Sequence, residues 1–97
     1  MKPVVIREQA RTELEEAFLW YEEKRRGLGE EFLQSIDMAM EQVIRSPEMF
    51  PVLYRNVRRI LTKRFPFGIF YTIEPEQISV LAFFHGRRDP SRVRARR

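Results

Sequence analysis

Phe65-Pro66-Phe67-Gly68-Ile69-Phe70-Tyr71-Thr72-Ile73, followed by Ile78 to Phe84 and then His85-Gly86-Arg87-Arg88-Asp89-Pro90, decides how this chain folds. Two apolar segments of strand length, rich in aromatic and β-branched residues, are separated by Glu74-Pro75-Glu76 and end in positive charge. Both faces of each segment are apolar: Phe67, Ile69, Tyr71 and Ile73 oppose Phe70, and Ile78, Val80, Ala82 and Phe84 oppose Leu81 and Phe83. Strands of this kind belong in the middle of a sheet with cover on both sides. Six arginines fall among the last eleven residues (Arg87, Arg88, Arg92, Arg94, Arg96, Arg97), and their field attracts acidic partners. The chain reads as a small basic effector.

Working outward, Phe50 to Tyr54 and Val57 to Arg64 read as two further strands separated by Arg55-Asn56, and Gln77 to His85 as the last. Val4-Val5-Ile6 is a short β-branched strand at the start. Between lie two helical patterns. From Glu8 to Arg26 the residues Ala10, Leu14, Ala17, Phe18 and Tyr21 share one face, and Gly27 closes the helix in a left-handed conformation. A second helix, beginning near Glu30-Glu31, carries Leu28, Phe32, Ile36, Ala39, Met40, Val43 and Ile44 on one stripe until Ser46-Pro47 stops it. The short connection makes the helices an antiparallel hairpin. The expected class is α+β: N-terminal strand, helical hairpin, then an antiparallel sheet meander, in a single domain over 1–97 with 91–97 as a basic tail.

Composition removes several function classes. There is no cysteine and one histidine, so disulfides, thiolate metal sites and multi-histidine metal sites are excluded, and no cofactor is expected. No signal-like start and no run of eighteen apolar residues is present, which places the chain in the cytoplasm with no membrane partner. Charge is divided: residues 1–50 hold 7 Lys/Arg against 11 Asp/Glu, and residues 51–97 hold 11 against 3. The basic half suits nucleic acid or an acidic protein surface. Arg58, Arg59, Lys63 and Arg64, together with Arg87, Arg88, Arg92 and Arg94, are the candidate binding residues. His85 is read as a partly buried strand-end histidine hydrogen-bonded to backbone, with a role as general acid as the alternative. Tyr71 is read as core and Trp20 as packing. Leu19 and Met38 lie off the helix stripes.

In order and spacing, Ala10 with Leu14, Trp20-Tyr21-Glu22, Leu28-Gly29 with Phe32, Pro47 with Phe50-Pro51, Val57-Arg58-Arg59, Phe65-Pro66-Phe67 with Tyr71, and His85 to Pro90 resemble the RelE/ParE superfamily of toxins from bacterial type II toxin-antitoxin modules, along nearly the whole chain. The resemblance implies a small sheet wrapped by a helical hairpin, a cognate antitoxin protein as partner, operator DNA reached only through that antitoxin, and an essential cellular target. The superfamily contains ribosome-dependent mRNA nucleases and also poisons of DNA gyrase. Its nuclease branch carries an arginine three residues before the strand tyrosine and a tyrosine in the C-terminal stretch. Here Gly68 and Arg94 stand at those positions, and Gly86 follows His85 where another nuclease type has tyrosine. Metal-free RNA cleavage needs paired acid and base groups as well as cations. The resemblance therefore points to a ParE-like, non-enzymatic gyrase-binding toxin. The alternatives are an mRNA endonuclease on the ribosome using His85 and Arg88, and a non-toxic nucleic-acid-binding or degenerate partner protein.

Overall fold

The computed structural model describes residues 1–85. Its elements run β1 (Val4–Ile6), α1 (Glu8–Lys24), α2 (Leu28–Arg45), a 3-10 turn (Pro47–Met49), β2 (Val52–Tyr54), β3 (Val57–Leu61), β4 (Phe67–Ile73) and β5 (Ile78–His85). The five strands form one sheet in the order β1-β5-β4-β3-β2. Strands β2 to β5 are the expected antiparallel meander, but β1 pairs in parallel with β5, Val4 opposite Ile78 and Ile6 opposite Val80, so the sheet is mixed.

The helical hairpin lies on one face of the sheet. Ala10 and Tyr21 of α1 and Phe32, Ile36, Ala39 and Val43 of α2 pack with Ile60, Phe65, Phe67, Ile69, Tyr71, Ile78, Val80 and Phe83 into the main core. The 4,3,4 spacing from Phe32 to Val43 gives one continuous stripe, which is why α2 seats along its length. Val57, Phe70, Leu81, Ala82 and Phe84 form a second buried cluster on the opposite face.

Simple alternation along β5 places Ala82 and Phe84 with Val80, and the structure does not. Tyr71 pairs with Val80 but Phe70 pairs with Ala82, so Leu81 is an extra residue that bulges the strand. Past the bulge the phase is reversed. Phe83 joins the helix-side core and His85 follows it, while Ala82 and Phe84 turn to the other face.

The interhelical turn also departs from the sequence reading. Helix α1 ends at Lys24, two residues short of Arg26, and α2 starts at Leu28 rather than near Glu30. Gly27 does take the left-handed conformation, at φ 88°. The N-terminal amides of α2 are capped from the preceding helix: the Glu22 carboxylate accepts the N–H groups of Gly27 and Gly29, both at 2.9 Å. A Cβ on Gly29 would lie 2.7 Å from Phe18 and 2.9 Å from the Glu22 carboxylate, so this close approach of the helices requires glycine. The amides of Gly27 and then Gly29 hold the Glu22 carboxyl below its ordinary value. A carboxyl lowered in the folded state contributes stability above its unfolded-state value, near 4.5, and loses it as pH falls through the folded one. Urea midpoints measured from pH 7 down to pH 3 are accordingly expected to fall less steeply in Glu22→Gln than in the unsubstituted chain.

Strand β3 stops at Leu61, three residues before the expected Arg64. The Thr62 hydroxyl donates to the Phe65 carbonyl and accepts the Phe67 amide at 3.0 Å, closing a turn that drops Phe65 into the core. Among the described residues no helix is long and apolar enough to cross a membrane.

Candidate functional site

Arg58, Arg59, Lys63 and Arg64 are near one another in sequence but do not form one cationic surface. Neighbouring residues of a strand point to opposite faces. Arg58 sits opposite Tyr71 on the helix side, and Arg59 sits opposite Phe70 on the outer side, its guanidinium 6.0 Å from the Phe70 ring. The Arg58 guanidinium donates to the carbonyls of Glu48 and Phe50, at 3.0 and 2.7 Å, which ties the strand to the turn after α2. Tyr71 anchors the same turn by donating its hydroxyl to the Pro47 carbonyl at 2.6 Å. Burial pushes the Tyr71 phenol up to about 12, with the Arg58 guanidinium opposing the shift, so Tyr71 stays protonated at neutral pH. Arg58 is thus a structural tie. Replacing it with alanine is expected to destabilise the fold by about 1–3 kcal/mol in chemical denaturation, the range for charge-assisted bonds at a half-buried position.

Arg64 is also engaged: it pairs with Glu31 of α2 and lies over the Phe65 ring at 4.9 Å. Glu31 is shared with Arg25, and the Arg64 hydrogen bond is the main reason its carboxyl lies below the ordinary value. Lys63 is exposed in the β3–β4 turn. Arg59, Lys63 and Arg64 line a groove of about 720 Å³ between α2 and the end of β3. Arg87, Arg88, Arg92 and Arg94 lie outside the described residues, as does the rest of the basic tail.

His85 is exposed, not half-buried as its strand-end position suggested, and its ring meets other rings. It rests edge-on against Phe67, with centroids 5.2 Å apart, and faces Trp20 at 6.5 Å. Trp20 is half exposed, so it is a surface residue and not the packing residue expected, with Lys24 Nζ 4.6 Å above its ring. His85, Phe67 and Trp20 wall a cleft of about 360 Å³ whose other lining residues include Glu13 and Glu16. Glu13 is set there by accepting the Phe83 N–H at 3.1 Å, on the stretch of β5 that runs past the end of β1. No Lys or Arg lines this cleft among the described residues. Among the described residues, His85 thus shares its cleft with two carboxylates.

Gly68 has a steric explanation on the opposite, outer face of the sheet. A Cβ there would come within 3.0 Å of the Phe70 ring and 3.3 Å of Arg59 Cδ. A side chain at this position needs both neighbours to give by a few tenths of an ångström. The carboxylates of the His85 cleft went unnoticed in the sequence reading because Glu13 and Glu16 looked like solvated helix residues, and the β5 bulge that turns His85 toward them carries no glycine or proline signal.

Comparison with known proteins gives a consistent result. Residues 4–90 match the family model described as ParE toxin of type II toxin-antitoxin system, parDE. Among solved structures, a chain titled "Chromosomal ParDE TA system from P. aeruginosa" superposes with a TM-score of 0.68 at 18% identity, covering 90% of this chain and 98% of that one, a likeness of fold. No curated protein matches the sequence.

Proposed function

Since this chain belongs to the family of ParE toxins of type II toxin-antitoxin systems, we propose that it is a cytoplasmic growth inhibitor that binds DNA gyrase, stabilises the cleaved gyrase–DNA complex, and is neutralised by a cognate antitoxin protein. It acts by binding, without chemistry of its own. The observation that most supports this reading is the match of residues 4–90 to the ParE toxin family model, and the His85 cleft accords with it, since the imidazole shares it with Glu13 and Glu16. Metal-free RNA cleavage requires a base at the 2′-hydroxyl, an acid at the leaving oxygen and positive charge on the phosphorane. The crowding around Gly68 further supports the binding reading, because the arginine of the nuclease pattern would have to shift the Phe70 and Arg59 side chains there.

The basic half of the chain supplies the surface for the target and the antitoxin, with Arg59, Lys63, Arg87, Arg88, Arg92 and Arg94 as the contributing charges; Arg58 and Arg64 are occupied within the fold. Induced expression of the free chain in bacteria tests the reading. DNA synthesis should stop and DNA-damage signalling should rise, with bulk mRNA intact. Primer extension that instead reveals cuts within codons on translating ribosomes, lost on His85→Ala, would make the protein an mRNA endonuclease.

A further inference from the structure

One side of α1 carries two kinds of residue that recognise positive charge. Glu13, Glu16, Ala17 and Trp20 follow one another at helical neighbour spacing, so they line up along the same side of the helix. All four border the cleft of about 360 Å³ that ends at His85. Ala17 presents only a methyl group between the carboxylates and the indole, which leaves the space open. From the sheet, His85 and Phe67 supply the opposing wall, with the His85 ring 6.5 Å from Trp20 and 5.2 Å from Phe67. The volume is at the small end for a ligand site, enough for a head group on a short stem.

The walls select the charge and the shape of what enters. Ring faces attract cations, indole most strongly, and Lys24 Nζ rests 4.6 Å from the Trp20 centroid. Full negative charge is added by the two carboxylates. Glu13 is fixed at the wall by the Phe83 amide, which donates to it at 3.1 Å, and Glu16 makes no ion pair among the described residues. No group of three or more metal-binding side chains occurs among the described residues, and the share of aromatic surface suits an organic cation. A guanidinium meets both kinds of wall at once: its flat face stacks on a ring while its edge directs N–H groups at carboxylates, which a compact ammonium cannot do.

We propose that this cleft is a binding site for an alkylguanidinium, stacked on the exposed indole of Trp20, with its N–H edge toward Glu13 and Glu16 and its stem over Ala17. Lys24 competes for the same ring and lowers the affinity. The site lies apart from Arg59 and Lys63, and the gyrase reading neither requires it nor is required by it.

The chain has one tryptophan and one histidine, and both wall this cleft, so Trp20 fluorescence and the NMR signals of the His85 ring report on it alone. The full chain is titrated at constant ionic strength with acetylarginine methylamide and, separately, with the citrulline derivative, which has nearly the same shape without the charge. The arginine derivative should saturate both signals, and the citrulline derivative should bind at least about tenfold more weakly, since it forgoes both the ion pairs and the cation–π contact. Glu16→Gln, at an exposed position, should weaken binding about twofold to fivefold with the thermal midpoint unchanged. Trp20→Leu, followed at His85, should weaken it by a similar factor, and Lys24→Gln should strengthen it about twofold. The proposal is overturned if the two derivatives bind within twofold of each other, or if Glu16→Gln and Trp20→Leu both leave the affinity unchanged. It is also overturned if the arginine derivative binds only after Arg87 and Arg88 are replaced by glutamine, which would assign the cleft to the chain's own arginines. Each of these results leaves the gyrase reading standing, because DNA cleavage by gyrase is measured independently of the cleft.

Discussion

Glutamate at Arg59, Arg87 and Arg88 together is expected to abolish growth inhibition, with colonies recovering fully on inducing medium, while the purified variant keeps a thermal midpoint close to that of the original chain. The three substitutions change the net charge from +4 to −2, and they cut that of the half of the chain that carries 11 basic against 3 acidic residues from +8 to +2. Association with an anionic partner depends on that field. Stability should change little because Arg59 contributes only a cation–π contact to Phe70, worth about 0.5–1 kcal/mol when exposed. Arg58 is left unaltered for a structural reason: its loss would unpin the turn at Glu48 and Phe50, and a fall in toxicity would then report on folding. Circular dichroism alongside the growth assay checks both halves of the prediction. Retained toxicity in a folded variant would remove these arginines from the account.

Phe32→Ala is expected to lower the free energy of unfolding by about 3–5 kcal/mol, a large effect for a single residue in a fold of this size. Phe32 is fully buried in α2, and its ring lies 5.0 Å from Tyr21, 5.0 Å from Phe67 and 5.7 Å from Phe65. It thereby joins both helices, the turn after β3 and the start of β4. Truncation leaves a cavity among rigid rings that cannot collapse to fill it. A domain of this size has little stability in reserve, so much of the protein should be unfolded at 37 °C. Urea denaturation gives the value directly; a loss below about 1 kcal/mol would mean that the aromatic cluster does not bear on stability as its packing implies.

Element types and their order were readable from residue spacing, since Phe32, Ile36, Ala39 and Val43 repeat at helical intervals and β4 and β5 are mostly apolar. What the spacing could not convey were the contacts between distant segments. Glu22 looks like a solvated residue of α1, yet its carboxylate caps the next helix and moves that helix's start to Leu28. Arg58 and Arg59 look like one basic patch, yet strand geometry sends one to a pair of carbonyls and the other to the outer face. The bulge at Leu81 has the largest functional consequence. It reverses the phase of β5 and brings His85 to the helix side, against Trp20 and near Glu13 and Glu16. A bulge enforced by register against β4, with neither glycine nor proline to mark it, is set by the whole sheet and not by its own residues.

The central claim is that the protein acts by binding and holding cleaved DNA on gyrase, and a cleavage assay with purified components tests it most directly. Supercoiled plasmid, gyrase and ATP are incubated with the full chain, the reaction is stopped with detergent and protease, and linear DNA is measured. Linear DNA should accumulate with toxin concentration, disappear when the antitoxin is added first, and be unchanged by His85→Ala. No linear DNA at saturating protein, together with His85-dependent cutting of mRNA on translating ribosomes, would contradict it.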